Sequence, residues 1–173
     1  MQPVQEALVY VVDDDESVRQ ALAWLLRSRR LPSQSYESAE AFLDDHPEPW
    51  QPQDPSCLLL DVRMPGMSGL ELQERLLAEG IPMPISFITG HGDVSMAVST
   101  MKKGAIDFIE KPFKESELKV LVEKMLTRAR VDYAKADTQK NTQNLLSKLT
   151  GREKQVLERI VAGRLNKQIA DDL

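Results

Sequence analysis

Short apolar runs alternate with helical stripes along residues 1–127, and this alternation constrains the fold more than any other feature of the chain. Leu8-Val9-Tyr10-Val11-Val12 is apolar at every position, not at every second one. Such a run reads as a strand covered on both faces, as in a parallel sheet. Residues 57–60 repeat the pattern, 85–88 and 106–109 also read as strands, and 32–36 is a weaker example. Between them, Val18, Ala21, Leu22, Leu25 and Leu26 recur at helical spacing. Ser38 is placed to cap a short helix carrying Ala41, Phe42 and Leu43. Residues 46–55 contain Pro47, Pro49, Pro52 and Pro55 and must be a loop. Ser68 and Glu71 form a capping-box pattern, with Met67 and Leu72 spaced as a hydrophobic staple, and that helix ends near Gly80. Residues 94–103 read as a helix closed by Gly104, and a last helix begins near Ser116. Five strands alternating with five helices predict an α/β fold, a doubly wound five-stranded parallel sheet with its site at the carboxyl ends of the strands.

Residues 128–173 are different. Neither glycine nor proline occurs between Phe113 and Thr150, and the segment turns polar after Tyr133. Residues 128–148 read as a linker, and both a helix continuous with the fifth and a flexible tether fit their composition. Thr150 and Glu153 form a second capping box, and Val156, Leu157, Ile160 and Val161 make an apolar face that Gly163 closes. Asn166 can cap another helix with Ile169, Ala170 and Leu173 inward. Residues 149–173 are therefore expected to form two short helices joined by a glycine turn, the start of an all-α helix-turn-helix domain. Charge divides at the same place: residues 1–127 carry 21 acids against 12 bases, and residues 128–173 carry 6 against 10. An acidic part followed by a basic part suggests two jobs, although charge alone also fits ordinary surface variation.

Several classes are excluded. Apolar stretches are of strand length, well short of the ~18 residues of a spanning helix. The first residues lack the basic region and apolar core of a secretion signal, so a cytoplasmic location is expected. Cys57 is the single cysteine, which excludes an internal disulfide and a cysteine-built zinc cage. No GxxxxGK[ST] phosphate loop is present.

The informative residues sit where strands end. Asp13 and Asp14 follow the first strand, Asp61 ends the third, Thr89 the fourth and Lys111 the fifth. In a parallel sheet these ends share one rim. Grouped carboxylates raise one another's pKa unless a cation joins them, and a hard divalent ion, Mg²⁺ or Mn²⁺, suits an all-oxygen site. Asp61 beside such an ion is a candidate nucleophile towards phosphorus. Thr89 can donate a hydroxyl hydrogen bond, and Lys111 can neutralise a phosphoryl oxygen. Taken singly, each residue has an ordinary explanation as a cap, a turn or a surface charge. Their joint placement carries the reading of an aspartyl-phosphate site.

The segments Val11-Val12-Asp13-Asp14-Asp15, Leu60-Asp61-Val62-Arg63-Met64-Pro65-Gly66-Met67-Ser68-Gly69, Thr89-Gly90-His91-Gly92-Asp93 and Asp107-Phe108-Ile109-Glu110-Lys111-Pro112-Phe113 resemble the receiver of bacterial two-component response regulators. The tail, from Leu149-Thr150-Gly151-Arg152-Glu153 to Asn166-Lys167-Gln168-Ile169-Ala170, resembles the start of a LuxR-type helix-turn-helix. Together they resemble the NarL/FixJ family of transcription regulators, on its FixJ side and among the regulators of styrene catabolism. The resemblance implies a flavodoxin-like receiver over residues 1–127 and a DNA-binding region from 149. It implies that Asp61 accepts a phosphoryl group from a sensor histidine kinase. It implies Mg²⁺ on the side chains of Asp14 and Asp61 and the backbone carbonyl of Arg63, with Asp13 acting through a water. Thr89 would move towards the phosphoryl group, Phe108 would change rotamer, Lys111 would pair with the phosphoryl oxygens, and the Lys111–Pro112 bond would be cis.

In the family a turn, a recognition helix and a fourth helix follow the point where this sequence stops. Residues 149–173 are accordingly expected to give only weak phosphate contacts, with Lys154, Arg159, Arg164 and Lys167 as candidates, and specific binding to need the complete domain. Phosphorylation-dependent pairing of two copies is expected on the face of the fourth helix, fifth strand and fifth helix, because Thr89 and Lys111 bracket it and Phe108 lies in it. No membrane contact and no catalytic turnover are expected. A Mg²⁺-dependent phosphatase with an aspartate nucleophile is the competing reading. It is disfavoured because such enzymes commonly place the nucleophile in an Asp-x-Asp after the first strand. A receiver acting only through protein contacts is a third.

Overall fold

The computed structural model describes residues 7–90 and 94–171, with the side chains of Val94, Ala97 and 164–171 not described. Two compact units are present, Met1–Ala134 and Lys135–Leu173.

The first unit alternates strand and helix in chain order: β1 (Leu8–Val12), α1 (Glu16–Ser28), β2 (Ser33–Tyr36), α2 (Ala39–Asp45), β3 (Ser56–Asp61), α3 (Gly69–Ala78), β4 (Ile85–Thr89), α4 (Val94–Lys102), β5 (Asp107–Glu110) and α5, which starts at Glu115 and runs Glu115–Ser147. The sheet is wholly parallel, in the order β2-β1-β3-β4-β5. The continuous apolar strands are explained by two cores, one on each face. Val9, Val11, Cys57, Leu59, Ile88 and Ile109 pack beneath α1 and α5, against Leu22, Leu26, Leu118, Val122 and Met125. Their strand neighbours Tyr10, Val12, Leu58, Leu60 and Phe87 point the other way, against Phe42, Leu72 and Leu76 of α2 and α3. This is the doubly wound α/β fold expected, and small shifts at strand ends leave it intact: β5 begins one residue later and β3 one residue earlier than read from the sequence.

Local signals act as expected. The Ser38 hydroxyl accepts from the Ala41 N–H at 3.0 Å to start α2, and Ser68 accepts from the Glu71 N–H at 3.2 Å to start α3. Gly80 and Gly104 close α3 and α4 at φ +68° and +103°, angles that side chains rarely adopt. The proline-rich 46–55 segment is a loop, and Trp50 within it joins Tyr10, Tyr36, Phe42 and His46 in an aromatic cluster, with the His46 and Trp50 rings 4.4 Å apart.

In the second unit, α5 continues to Ser147 and α6 spans Gly151–Asp171. The Thr150–Glu153 box closes both ways: the Glu153 N–H donates to the Thr150 hydroxyl at 3.1 Å, and the Thr150 N–H to the Glu153 carboxylate at 3.4 Å. The expected break at Gly163 and second start at Asn166 are corrected: one helix runs through both. Val156, Leu157, Ile160 and Val161 are all 40% exposed or more. With no packing to reward a turn, unbroken i→i−4 hydrogen bonding wins over the glycine. The inward placement expected of Ile169, Ala170 and Leu173 lies outside the described residues. Among the described residues no helix is long and apolar enough to cross a membrane.

Candidate functional site

Strand order creates the site. From β1, second from one edge, the chain runs outward to β2, then crosses back over β1 to β3. The connections after β1 and β3 therefore leave on opposite faces, and a crevice opens between the two carboxyl ends. Asp13 and Asp14 stand on one side of that crevice and Asp61 on the other.

The acidic run after β1 divides its work. Asp13 is fully buried and Asp14 exposed, while Asp15 caps α1 by accepting from the Ser17 N–H at 2.9 Å and the Ser17 hydroxyl at 2.6 Å. Those bonds hold the Asp15 carboxyl below its ordinary pKa. One oxygen of Asp13 accepts from the Asp15 N–H at 2.8 Å, and the Asp13 carbonyl accepts from the Arg19 guanidinium at 2.7 Å. The N–H of Asp13 donates to the Tyr36 carbonyl at 3.2 Å, so the backbone here is tied to both α1 and β2.

Asp61 is 5% exposed at the end of β3. One carboxylate oxygen from each of Asp13, Asp14 and Asp61 lies within 4.8 Å of the others. The Lys111 ammonium lies 2.9 Å from Asp13 Oδ2 and 3.5 Å from Asp61 Oδ2. Burial raises the Asp61 pKa first and the Asp13 charge second; Lys111 opposes them, and the balance is pushed up to about 7. For Lys111, burial works against the ammonium, but the bond to Asp13 and the charges of Asp13 and Asp61 outweigh it and raise its pKa. One lysine thus serves a cluster of carboxylates and leaves it short of positive charge. The buried Oδ2 of Asp13 has Lys111 as an ion-pair partner but no well-aligned hydrogen bond. An oxygen-only donor set, an under-satisfied buried oxygen and surplus negative charge fit a hard divalent cation.

Thr89 is buried at the end of β4, and its hydroxyl donates a long bond, 3.5 Å, to the Ile109 carbonyl. Lys111 N–H donates to the Thr89 carbonyl at 2.8 Å, which ties the end of β4 to the residue following β5. The Lys111–Pro112 bond is cis. Phe108 is half-buried beside the α2–α3 core and lines a groove of about 510 Å³ between β5 and α5 with Val120 and Lys124. Arg63 is exposed, two residues past Asp61, and a guanidinium nitrogen lies 3.5 Å from the Met96 sulfur. In the second unit Lys154 and Arg159 are exposed. The side chains of Arg164 and Lys167, and all of His91, Gly92 and Asp93, lie outside the described residues.

Three contributors escape sequence reading: Arg19, Glu40 and Gly69. Arg19 shows only as a cation on the half-buried side of α1. Glu40 accepts from the Met67 N–H at 2.6 Å, a contact across 27 residues that no local pattern signals. Gly69 follows a capping serine, yet its real constraint is non-local: a Cβ there would lie 2.1 Å from the Asp61 carbonyl oxygen.

Comparison with known proteins agrees with this geometry. Residues 9–123 match the response regulator receiver domain, and residues 147–173 match the bacterial regulatory proteins of the luxR family. The transcriptional regulatory protein FixJ of Azorhizobium caulinodans is 45% identical over 165 residues, 95% of this chain and 76% of that protein. The response regulator protein TmoT of Ectopseudomonas mendocina is 43% identical over 169 residues, 98% of this chain and 75% of that one. The solved structure of the response regulator StyR superposes with a TM-score of 0.78 at 45% identity, covering 96% of this chain and 82% of that one.

Proposed function

From the membership of this chain in the response regulator family, with a receiver followed by a LuxR-type DNA-binding region in the manner of a phosphorylation-controlled transcription regulator, we propose that Asp61 is its phosphoacceptor. The observation that carries this is the convergence of Asp13, Asp14 and Asp61 within 4.8 Å, with the Lys111 ammonium against two of them. A carboxylate oxygen of Asp61 attacks the phosphorus of a sensor kinase's phosphohistidine, and the imidazole leaves. The Asp14 and Asp61 side chains and the Arg63 carbonyl would hold Mg²⁺, or Mn²⁺ in its place, with Asp13 acting through a water. The ion would supply the positive charge that lets an anionic nucleophile meet an anionic phosphoryl group. Lys111 pairs with a phosphoryl oxygen and releases part of its hold on Asp13. Thr89 exchanges a weak bond to Ile109 for one to the new dianion, and Phe108 turns into the space this leaves.

On this reading residues 1–127 are the receiver, 128–148 the linker and 149–173 the beginning of the DNA-binding domain. Lys154, Arg159, Arg164 and Lys167 give non-specific phosphate contacts, and sequence recognition comes from the complete domain. The protein works in the cytoplasm as a switch and not as a turnover enzyme. Phosphorylation promotes pairing through α4, β5 and α5; an unchanged sedimentation coefficient after phosphorylation would refute that part.

Intact-protein mass after incubation with acetyl phosphate and Mg²⁺ tests the core proposal. Wild type should gain one phosphoryl mass and Asp61→Asn none. Consumption of acetyl phosphate with no adduct would favour the phosphatase, and neither adduct nor consumption would leave a receiver that works through protein contacts alone.

A further inference from the structure

The loop joining β3 to α3, residues 62–68, carries Arg63 and is fastened in two places. At its base the Gly69 N–H donates to the Val62 carbonyl at 3.0 Å, and the absence of a side chain at Gly69 lets α3 begin directly against the Asp61 carbonyl. Val62 and Met64 are buried, which anchors the first half. The tip is held from another element. Glu40, in the first turn of α2, sends its carboxylate across to the loop and accepts from the Met67 N–H at 2.6 Å. The same oxygen lies against Gly66, at φ +77°, where a Cβ would stand 2.6 Å from it. The glycine thus serves both a left-handed turn and the close approach of the carboxylate. The bond is charge-assisted and short, the stronger kind of hydrogen bond.

We propose that Glu40 is a positioning residue for the cation: by clasping the tip of the 62–68 loop it keeps the Arg63 carbonyl, supplied by that loop, in the orientation that the ion requires. This rests on the cation site assigned above. A carbonyl ligand has no side-chain torsions to adjust, so its aim depends on the backbone around it. With base and tip both fixed, the loop has little freedom; with the tip released, the residues between Arg63 and Met67 can rotate. Outer partners of this kind tune metal affinity without touching the metal. An ordinary first-turn acid, which merely favours the N-terminal end of α2, would have no such effect.

Mn²⁺ binding to the full chain, followed by the loss of its free-ion paramagnetic resonance signal, reads the effect without phosphorylation. Wild type should bind one ion and Asp61→Asn should lose it, which places the ion at the acidic cluster. Glu40→Ala should raise the Mn²⁺ Kd about fivefold. Glu40→Gln, which keeps an oxygen acceptor for the Met67 N–H, should return it to within about twofold of wild type. Arg75→Ala, which removes ion pairs from α3 to Glu48 in the 46–55 loop and to Glu79 at the end of the helix, is the control for general loosening and should leave the Kd unchanged. Urea midpoints measured without metal show that each variant is folded. A Glu40→Ala Kd equal to wild type, or an equal loss in Arg75→Ala, overturns the inference while the cation site stands. Wild type taking up no Mn²⁺, or Asp61→Asn binding as wild type does, overturns the cation site and the inference with it.

Discussion

Replacing Asp61 by Asn should make the metal-free protein more stable above neutral pH, although it removes a charge that faces Lys111. Asp61 is pushed up to about 7 by burial and by Asp13. In the unfolded chain the same carboxyl titrates near 3.8. Between these values the folded state holds a proton that the unfolded state has released. Stability from this group is therefore full below about pH 4, falls as pH rises through about 7, and levels off beyond. The rise from 3.8 to about 7 corresponds to a ceiling of about 4 kcal/mol. Water reaches the crevice on the exposed Asp14 side and screens the charge, so the cost for the ionised wild type is about 1–2 kcal/mol. The ion pair lost to Lys111 spans 3.5 Å, and Lys111 keeps its nearer partner Asp13 at 2.9 Å, so that loss is the smaller effect. The net gain for Asp61→Asn at pH 8 is about 1 kcal/mol, or about 3 °C in Tm. Thermal unfolding followed by circular dichroism from pH 4.5 to 8.5 in EDTA measures it. The two melting curves should converge at the acid end and separate with rising pH. An Asp61→Asn protein that melts at or below wild type at pH 8, or a gap that ignores pH, would show that burial and the Asp13 charge do not outweigh the pairing of Asp61 with Lys111.

Other substitutions test the surrounding structure. Lys111→Ala leaves the buried Asp13 carboxylate without its ion pair and should cost about 2 kcal/mol in urea denaturation, most of it recovered by adding Asp13→Asn. Gly69→Ala forces a methyl to 2.1 Å from a backbone oxygen that cannot turn aside, and should cost about 3 kcal/mol or more; a loss below about 1 kcal/mol would mean that α3 can start further from β3. Trp24, 64% exposed, should be replaceable by Ser within about 0.5 kcal/mol, and a larger change in Tm would reveal packing that its exposure does not suggest.

Strands, helix starts and helix ends were legible because each depends on neighbours a few residues away. Continuous apolar runs of strand length identify β1 and β3, and Ser38, Ser68 and Thr150 announce helix starts through bonds that reach only three residues. The strand-end positions of Asp13, Asp14, Asp61, Thr89 and Lys111 follow from the same pattern, since parallel strands present their carboxyl ends together. Legibility failed where local and distant demands compete. The helical pattern expected around Gly163 presumed a packed turn, and a continuous α6 formed where its apolar side chains remain exposed. Asp15 belongs to the same acidic run as Asp13 and Asp14, yet capping α1 takes it out of the site.

Sequence alone determined the alternating elements, the two-sided burial and the identity of the groups at the rim. Tertiary structure decided how they meet. The order β2-β1-β3-β4-β5 sets Asp13 across from Asp61, 48 positions later in the chain, and brings Lys111 against both. It also decided that Arg19 holds the Asp13 carbonyl, that Glu40 clasps the loop after Asp61 and that Gly69 can carry no side chain. The physical reason is one of range. Hydrogen bonds of helices and caps close within three or four residues and leave a periodic trace. Contacts across the crevice arise only once apolar strands have been sorted into a sheet covered on both sides, and the residues that make them carry no periodicity of their own.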